Sequence, residues 1–453
     1  MLVLVLLRYL LYLISALLAG LLLFAAVSVA PIDRTPYSQE DYYSKMQENL
    51  DSLDTLRIPS PQTGFRAGYA KANITPSYAT AMAGSGLRRL HFEGVHDSIY
   101  VRTMVIGNGA MSIALVSLDM LLVPPEVTRK LEASLKDIGF DISNTYLSAT
   151  HTHSSIGNWG KGLSGYLYSG PFDEELVDGL VDNILTTIQE ANRTSLPAKI
   201  FGGKIPVTGM LYNRVAREYG RIDSLLRVVE VHRQDSSKLL LASFTGHATC
   251  DVSSSLQVSR DYPGVFVDAV EESGYAFAMF MAGAVGSHGC KGTERGMNMV
   301  NDVGGRLANR FFDARGSLRA VGDSTLVMFS APLELREPQF RISKDWRVRP
   351  WLFRKAFGTY EPRLTALRIG DLVMMGTPCD FSGELTGPID SLASSKGLHA
   401  MVTSFNGNYI GYITEDRWYD VDHYETRLMN WYGPGNGDYV SQSLMQMIEA
   451  ISP

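Results

Sequence analysis

The chain has 453 residues, of which 45% are hydrophobic and 19% are charged, so it can form one large or two medium domains without disulfide support. Its formal net charge of −6 argues against nucleic-acid binding, which usually leaves a basic footprint. Cys250, Cys290 and Cys379 are too few for a disulfide framework.

The N-terminus carries an uncharged apolar segment from Tyr9 to Ala30. As a helix this segment rises about 33 Å, which is enough to cross a hydrocarbon core of ~30 Å. A cleaved signal peptide is the alternative, because Ser28-Val29-Ala30 resembles a small-residue cleavage site. The length of the segment and Pro31 behind it favour an uncleaved transmembrane anchor over residues 1–30. The charges flanking the span mildly favour an orientation with the bulk of the chain on the extracytoplasmic side.

Residues 31–64 are polar and rich in proline, which predicts a juxtamembrane stalk with some helix. Beyond it, short apolar runs such as Thr145–Ala149 and Leu372–Gly376 predict strands, and Phe172–Ala191 has the spacing of an amphipathic helix. This mixture predicts an α/β fold, with an α+β arrangement as the alternative. We therefore expect a single large catalytic domain over residues 65–453, behind the transmembrane helix.

Side chains that bind metals follow several predicted strands. His151 and His153 follow one strand, His247 follows a second and Asp380 follows a third. Alternation in an extended segment places the first two on the same face. Two histidines and a carboxylate with an open position form a familiar catalytic zinc arrangement. The alternative is that these are ordinary loop or core residues, which is the more common case for a lone histidine after a strand. The sequence contains no compact H-E-x-x-H pattern that would favour a zinc site.

An ordered set of motifs resembles the neutral (non-lysosomal) ceramidases. Each motif is weak alone, but their order, with Thr-His-Thr-His-Ser at the centre, is specific. The set comprises Ala67–Thr75, Gly94–Asp97, Ser117–Met120, Leu147–Ser154, Tyr212–Arg214, Ser259–Gly264, Leu372–Phe381, Tyr409–Thr414 and Tyr424-Glu425. The resemblance implies zinc-dependent hydrolysis of an amide bond in a ceramide-like or other N-acyl lipid by a metal-activated water.

Carried over position by position, the resemblance implies four zinc ligands: His151, His247, Asp380 and Tyr412. It also implies that His153 acts as general acid and base beside the metal, and that Arg214 and Tyr424 contact substrate. Asp119, at the end of its strand, is a candidate to orient a ligand histidine, with a strand-end cap as the equal alternative.

The sequence departs from the family pattern at three points. Asp380 stands where the family has Glu, so the metal is expected closer to that strand. In the loop Gly283–Cys290, Gly289 takes the place of a family serine, which leaves His288 or Ser287 to fill that role in catalysis. The chain ends soon after the last motif, so the family's C-terminal β domain is expected to be missing.

Two other classes of function stay open. A serine hydrolase is one, because Val285–Gly289 resembles a G-x-S-x-G elbow around Ser287, although Val285 stands where the first glycine belongs. A non-catalytic lipid-binding or metal-binding membrane protein is the other. The segment Trp346–Phe357 mixes aromatic and basic residues, which suits a membrane interface, and a solvated lid or surface helix is its alternative. The expected partners are therefore a lipid substrate and a membrane, without nucleic acid.

Overall fold

Two β-sheets stack face to face, with helices on both outer surfaces, in the part of the chain that the computed structural model describes (residues 2–55, 57–84, 91–292, 294–359 and 361–452). The eight long strands of the first sheet are β1 (Arg66–Asn73), β2 (Tyr100–Gly107), β3 (Ser112–Leu118), β4 (Thr145–Ala149), β5 (Leu196–Pro206), β6 (Leu225–Arg233), β7 (Lys238–Phe244) and β8 (Phe277–Ala282). Their order across the sheet is β8-β7-β6-β5-β1-β2-β3-β4, and a short strand at Arg319–Ala320 pairs with β5. The pairs are antiparallel except at the two edges, where β8 runs parallel to β7 and β4 to β3.

The second sheet has four strands in chain order. They are β9 (Leu326–Pro332), β10 (Arg363–Ile369), β11 (Leu372–Gly376) and β12 (His399–Thr403), and only the last pair is parallel. Short two-stranded pairs tie loops together: Val29–Pro31 with Trp346–Val348, Met82–Ala83 with Ser155–Ile156, Gly94–Val95 with Gln257–Val258, Leu211–Asn213 with His288–Cys290, and Asp380–Phe381 with Tyr412–Ile413.

The described residues also form ten α-helices. These are α1 (Leu2–Ser28), α2 (Asp41–Asp51), α3 (Pro125–Ser134), α4 (Gly162–Ser169), α5 (Glu174–Arg193), α6 (Asp261–Glu272), α7 (Met297–Ala314), α8 (Pro350–Phe357), α9 (Thr386–Ser395) and α10 (Asn436–Ala450). Helices α3 and α5 cover one half of the first sheet, and α6 and α7 cover the other half. Helices α2, α9 and α10 cover the outer face of the second sheet.

The strand sequences are apolar on both faces because both faces are covered. In β7, Leu239 and Leu241 point between the two sheets, whereas Leu240 and Phe244 point towards α6 and α7. Successive side chains of a strand alternate between faces, so a strand buried on both sides reads as a continuous apolar run. Each such buried side chain contributes roughly 1.5–3 kcal/mol. The predicted α/β class with one large domain and an apolar N-terminal helix is confirmed.

The stretch Leu4–Ser28 of α1 is long and apolar enough to cross a membrane, and its residues 4–27 are all exposed. Only its length and composition indicate a membrane span, and a signal sequence near an N-terminus has the same two features. Residues 31–55 then pack on the domain: Met46 and Leu50 of α2 belong to the core beneath the second sheet, and Arg34 pairs with Asp420 at 2.6 Å. The stalk over 31–64 and the domain boundary at residue 65 stay predictions.

Candidate active site

Three histidines converge on one point at the ends of two strands. The Nε2 atom of His151 lies 2.9 Å from that of His247 and 3.1 Å from that of His153, and the last two are 2.9 Å apart. Each ring directs Nδ1 at a backbone carbonyl oxygen, of Leu121 for His151 (2.6 Å) and of Val285 for His247 (3.4 Å). The third ring, of His153, is bonded in the same way to the carbonyl of Gly84. Because Nδ1–H donates to these carbonyls, Nε2 keeps its lone pair on all three rings.

The protonation state of two of these rings also suits a metal. Burial lowers the pKa of His151 and of His247 well below the usual value, with further lowering by neighbouring positive charge. Both are therefore neutral at pH 7, which is the form that binds metal ions.

Strained backbone and a stacked ring fix the position of His151. His151 has φ of 63° and Phe405 also has φ of 63°, both in the left-handed region that side chains other than glycine rarely adopt. Their rings stack with centroids 4.0 Å apart and planes 10° from parallel. The extended geometry predicted for the Thr-His-Thr-His segment is thus broken at His151, yet both histidines reach the same point.

Asp380 faces this cluster with one oxygen and is held by the other. Its Oδ1 lies 3.4 Å from Nε2 of His151, is buried, and has no hydrogen-bond partner among the described residues. Its Oδ2 accepts a hydrogen bond of 2.8 Å from the hydroxyl of Tyr409. Burial raises the pKa of the carboxyl to about 7, against the lowering effects of Tyr409, Arg214 and Tyr412.

The Nε2 atoms of the three histidines and Oδ1 of Asp380 have a spacing that fits a zinc ion. Two ligands bonded to tetrahedral zinc at about 2.0–2.1 Å are about 3.3 Å apart, and the separations here are 2.9–3.1 Å between nitrogens and 3.4 Å from His151 to Asp380. A carboxylate oxygen and imidazole Nε2 atoms are the donor types that zinc takes. The trio His151, His153 and His247 could hold a metal ion by itself.

The other predicted site residues surround the cluster. The ring of Tyr412 stacks on that of His247 with centroids 6.5 Å apart, and it contacts the ring of Tyr424 at 6.1 Å. The guanidinium of Arg214 pairs at 2.7 Å with the fully buried carboxylate of Glu425. Arg214 stays charged there, because Tyr412, Glu425 and Asp380 together raise its pKa despite burial. The predicted His153 thus joins the cluster, with Tyr424 and Arg214 beside it.

His288 and Ser287 occupy a different environment. Both are buried, and neither lines the cavity described below. Nε2 of His288 accepts the backbone N–H of Asp223 at 3.0 Å, so Nδ1 carries the proton and donates to Oγ of Ser287 at 3.1 Å. A histidine in this tautomer cannot remove a proton from that serine. The carbonyl of His288 accepts the backbone N–H of His247 at 3.1 Å, so this loop supports a member of the cluster.

A cavity of about 610 Å³ opens in front of the cluster. His151, His153, Asp380 and Tyr412 line one part of its wall together with Tyr424. Apolar and aromatic side chains supply much of the rest: Leu121, Leu122, Ile142, Leu147, Trp159, Phe357, Met429 and Trp431. A volume of this size with mostly apolar walls and a few polar groups is typical of a site for a small or lipid-like ligand.

Sequence reasoning missed two kinds of contributors. The backbone carbonyls of Gly84, Leu121 and Val285 orient the three rings, and a carbonyl leaves no signal in the residue type. Tyr409 was part of a recognised motif but had no role assigned to it. Asp119, expected as a possible orienting group, instead accepts the backbone N–H of Tyr100 at 3.0 Å.

The chain is therefore an α/β protein in which a histidine cluster of the kind that binds metal ions lies at the wall of a largely apolar cavity. Residues 65–244 match the family model for the N-terminal part of neutral/alkaline non-lysosomal ceramidases. Over these residues the chain is therefore similar to that family.

Two curated relatives are neutral ceramidases. The one from Pseudomonas aeruginosa is 30% identical over 145 residues, which is 31% of this chain and 22% of that protein. The one from Mycobacterium tuberculosis is 24% identical over 218 residues, which is 44% of this chain and 34% of that protein. The matched stretches therefore span about a fifth and about a third of those relatives' lengths.

Solved structures share the fold. The crystal structure of neutral ceramidase from Pseudomonas aeruginosa superposes with a TM-score of 0.71 at 20% identity, over 86% of this chain and 75% of that one. A ceramidase complexed with C2 gives a TM-score of 0.72 at 18% identity, over 85% and 74% of the two chains.

Proposed function

We propose that the chain is a zinc-dependent hydrolase that cuts the amide bond of ceramide or of another N-acyl lipid. The observation that carries the proposal is the convergence of three imidazole Nε2 atoms and one unpaired carboxylate oxygen at the wall of a largely apolar cavity. The match of residues 65–244 to the ceramidase family model and the relatives' names support the reaction class.

The metal would be held by His151, His247, Asp380 and Tyr412, which leaves Nε2 of His153 beside it for proton transfer. When bound there, zinc would supply Lewis acidity for the amide carbonyl and lower the pKa of a water molecule towards ~7. His247 and His151 would present Nε2 because their Nδ1 atoms donate to carbonyls of the main chain.

The chain's own residues would handle protons and position the substrate. Nε2 of His153 would take a proton from the attacking water and return it to the amide nitrogen as the C–N bond breaks, which gives a fatty acid and an amine. The hydroxyl of Tyr424 and the guanidinium of Arg214 would bind the oxygen that gains negative charge. The apolar walls would hold the acyl chain and exclude bulk water.

We also propose that α1 stays as a membrane anchor with the catalytic domain on the extracytoplasmic side. The uncharged part of α1, which begins at Tyr9, supports a span. A lipid substrate and a membrane-bound enzyme fit each other, because such a substrate resides in the bilayer.

Metal content and turnover test the reaction. Purified full-length protein should contain about one zinc per chain and hydrolyse a fluorescent ceramide. The double variant His151→Ala with His247→Ala should lose both, whereas His399→Ala, at an exposed histidine outside the cavity, should keep both. Zinc without turnover of any N-acyl lipid would favour a binding protein, and turnover that resists chelators would overturn the metal mechanism.

A further inference from the structure

The last turn of α1 is held by a segment of the domain that also reaches the cavity. The carbonyl of Ser28 accepts the backbone N–H of Arg349 at 2.7 Å, and the carbonyl of Val27 accepts the indole N–H of Trp351 at 2.9 Å. The Arg349 guanidinium donates to the carbonyl of Val29 at 3.1 Å. The last carbonyls of a helix lack partners within the helix, and a cation there offsets the helix dipole. The end of the apolar helix is therefore built into the domain.

The residues that follow α1 belong to the fold as well. Val29–Pro31 pairs with Trp346–Val348 as a short antiparallel strand pair, and Ser28 and Ala30 are buried. These are the residues that resemble a signal-peptide cleavage site. Cleavage behind Ala30 would remove most of this strand and the carbonyls bound by Arg349 and Trp351. The contacts thus favour a retained helix.

Helix α8 connects this attachment to the cavity. Trp351 and Phe357 are six residues apart, or about 9 Å along the helix. Phe357 lines the cavity, stacks on Phe353 with centroids 4.6 Å apart, and contacts Trp431, another lining residue, at 5.2 Å. Phe357, in the cavity wall, therefore lies about 9 Å along α8 from Trp351, the residue that binds the end of α1. This separation is close to the depth of one head-group layer, roughly 5–8 Å.

Exposed apolar side chains lie on α8 and on the helix beside it. Helix α4 packs beside α8 and contributes Ser164, Gly165 and Tyr168 to the cavity wall. Its Leu163 is 56% exposed and its Tyr166 is 45% exposed.

On the side next to α1, Trp346 and Trp351 are also about half exposed. We call these four side chains (Leu163, Tyr166, Trp346 and Trp351) the aromatic rim. Lys344, Arg349 and Lys355 are exposed in the same segment. Aromatic side chains favour the head-group level of a bilayer, and cations there favour lipid phosphates.

We propose that the aromatic rim is the surface on which the domain rests against the bilayer that α1 enters, so that the cavity opens at head-group level and takes its lipid directly from that leaflet. Continuity with the apolar helix identifies the partner as the lipid surface. Uptake of substrate rests on the proposed function, whereas contact with the bilayer does not.

Depth-dependent quenching tests the contact independently of catalysis. The three native cysteines are buried, so a maleimide fluorophore can be directed to Leu163→Cys, and to Tyr219→Cys as a control. Tyr219 is 76% exposed and lies outside the cavity lining. In phosphatidylcholine vesicles that carry the full-length protein and nitroxide-labelled lipid, we expect quenching about fivefold greater at position 163 than at 219. Equal quenching at the two positions would overturn the proposal.

Turnover tests the uptake of substrate. Leu163→Glu with Tyr166→Glu should lower kcat/KM for a long-chain N-acyl lipid in vesicles by about tenfold, and leave hydrolysis of a soluble short-chain N-acyl amide within about twofold. Unchanged hydrolysis in vesicles would overturn direct uptake from the leaflet. Failure of the wild type on both substrates would refute the proposed function, and the quenching result would still decide the contact.

Discussion

Replacing Tyr409 by Phe removes one hydroxyl group and leaves the ring in place. That hydroxyl donates a 2.8 Å hydrogen bond to Oδ2 of Asp380, whose other oxygen faces the histidine cluster. The substitution therefore tests whether Asp380 is a metal ligand that depends on its orienting partner. We expect weaker metal binding with little change in the fold.

The structure sets the size of the effect. A hydrogen bond to a charged group contributes about 1.5–3 kcal/mol, which corresponds to about 10- to 150-fold in a dissociation constant. Partners of metal ligands typically account for about 10- to 100-fold in affinity. Because the bond also lowers the pKa of Asp380, which burial raises to about 7, its loss should raise that pKa further. The affinity loss should then be larger at pH 6 than at pH 8, since protons compete with the metal.

Competition with a zinc chelator measures the dissociation constant at both pH values. Tyr146→Phe is the matched control, because its buried hydroxyl also makes a hydrogen bond, of 2.6 Å to Thr403, but lies outside the cavity lining. That variant should lose about 1 kcal/mol of stability and keep the wild-type zinc affinity. A Tyr409→Phe protein with unchanged affinity would refute the assignment of Asp380 as a ligand held by Tyr409.

Four further outcomes can be checked. Glu425→Gln leaves the charge of Arg214 without its buried partner and should lower the free energy of unfolding by about 3 kcal/mol in a denaturant titration. Ser287→Ala should keep kcat/KM within about twofold, because the neighbouring imidazole is a donor to that serine and not its base; a complete loss would revive the serine hydrolase. Burial raises the pKa of Asp119 from 3.8 to about 6, so its charging opposes folding and stability falls as pH rises through that window. In Asp119→Asn this loss of stability between pH 3.8 and about 6 should be absent. Relative to the variant, the wild type should therefore lose about 2–3 kcal/mol in its free energy of unfolding over that pH range. Gly286→Ala should weaken zinc binding about tenfold by the same chelator assay, because a β-carbon there would lie 2.4 Å from the carbonyl oxygen of the proposed ligand Asp380.

Much of the strand architecture was predictable. Thr145–Ala149 and Leu372–Gly376 were predicted with the bounds that the structure has, because each is a compact apolar run with polar neighbours. The stacking of the second sheet on the first was not predictable, since a run that is apolar on both faces does not reveal what covers each face. Residues 31–55 were predicted as a stalk from polarity and proline content, but the few apolar residues of α2 suffice to pack it on the domain.

The histidines of the candidate site were predictable, and their environment was not. Residue type and position after strands indicated His151, His153 and His247, and the structure brings all three together. Their carbonyl partners come from loops remote in sequence, such as Gly84 and Val285, where no side chain signals the contact. For the same reason, the sequence offered only Asp119 as a candidate to orient a histidine, with a strand-end cap as the equal alternative, whereas main-chain oxygens orient all three rings.

The carboxylate of Asp380 reaches the histidine cluster because the main chain around it packs closely against a neighbouring loop. The N–H of Gly286 donates to the carbonyl of Phe381 at 2.8 Å, and only hydrogen stands on Gly286 where a β-carbon would meet the Asp380 carbonyl. On its other side, Asp380–Phe381 pairs with Tyr412–Ile413, which aligns Asp380 with Tyr412. The two contacts hold the main chain of residue 380 close enough for Oδ1 to lie 3.4 Å from Nε2 of His151. The close approach of the loop at Gly286 and the pairing with Tyr412 thus act together to place the carboxylate of Asp380 at the histidine cluster.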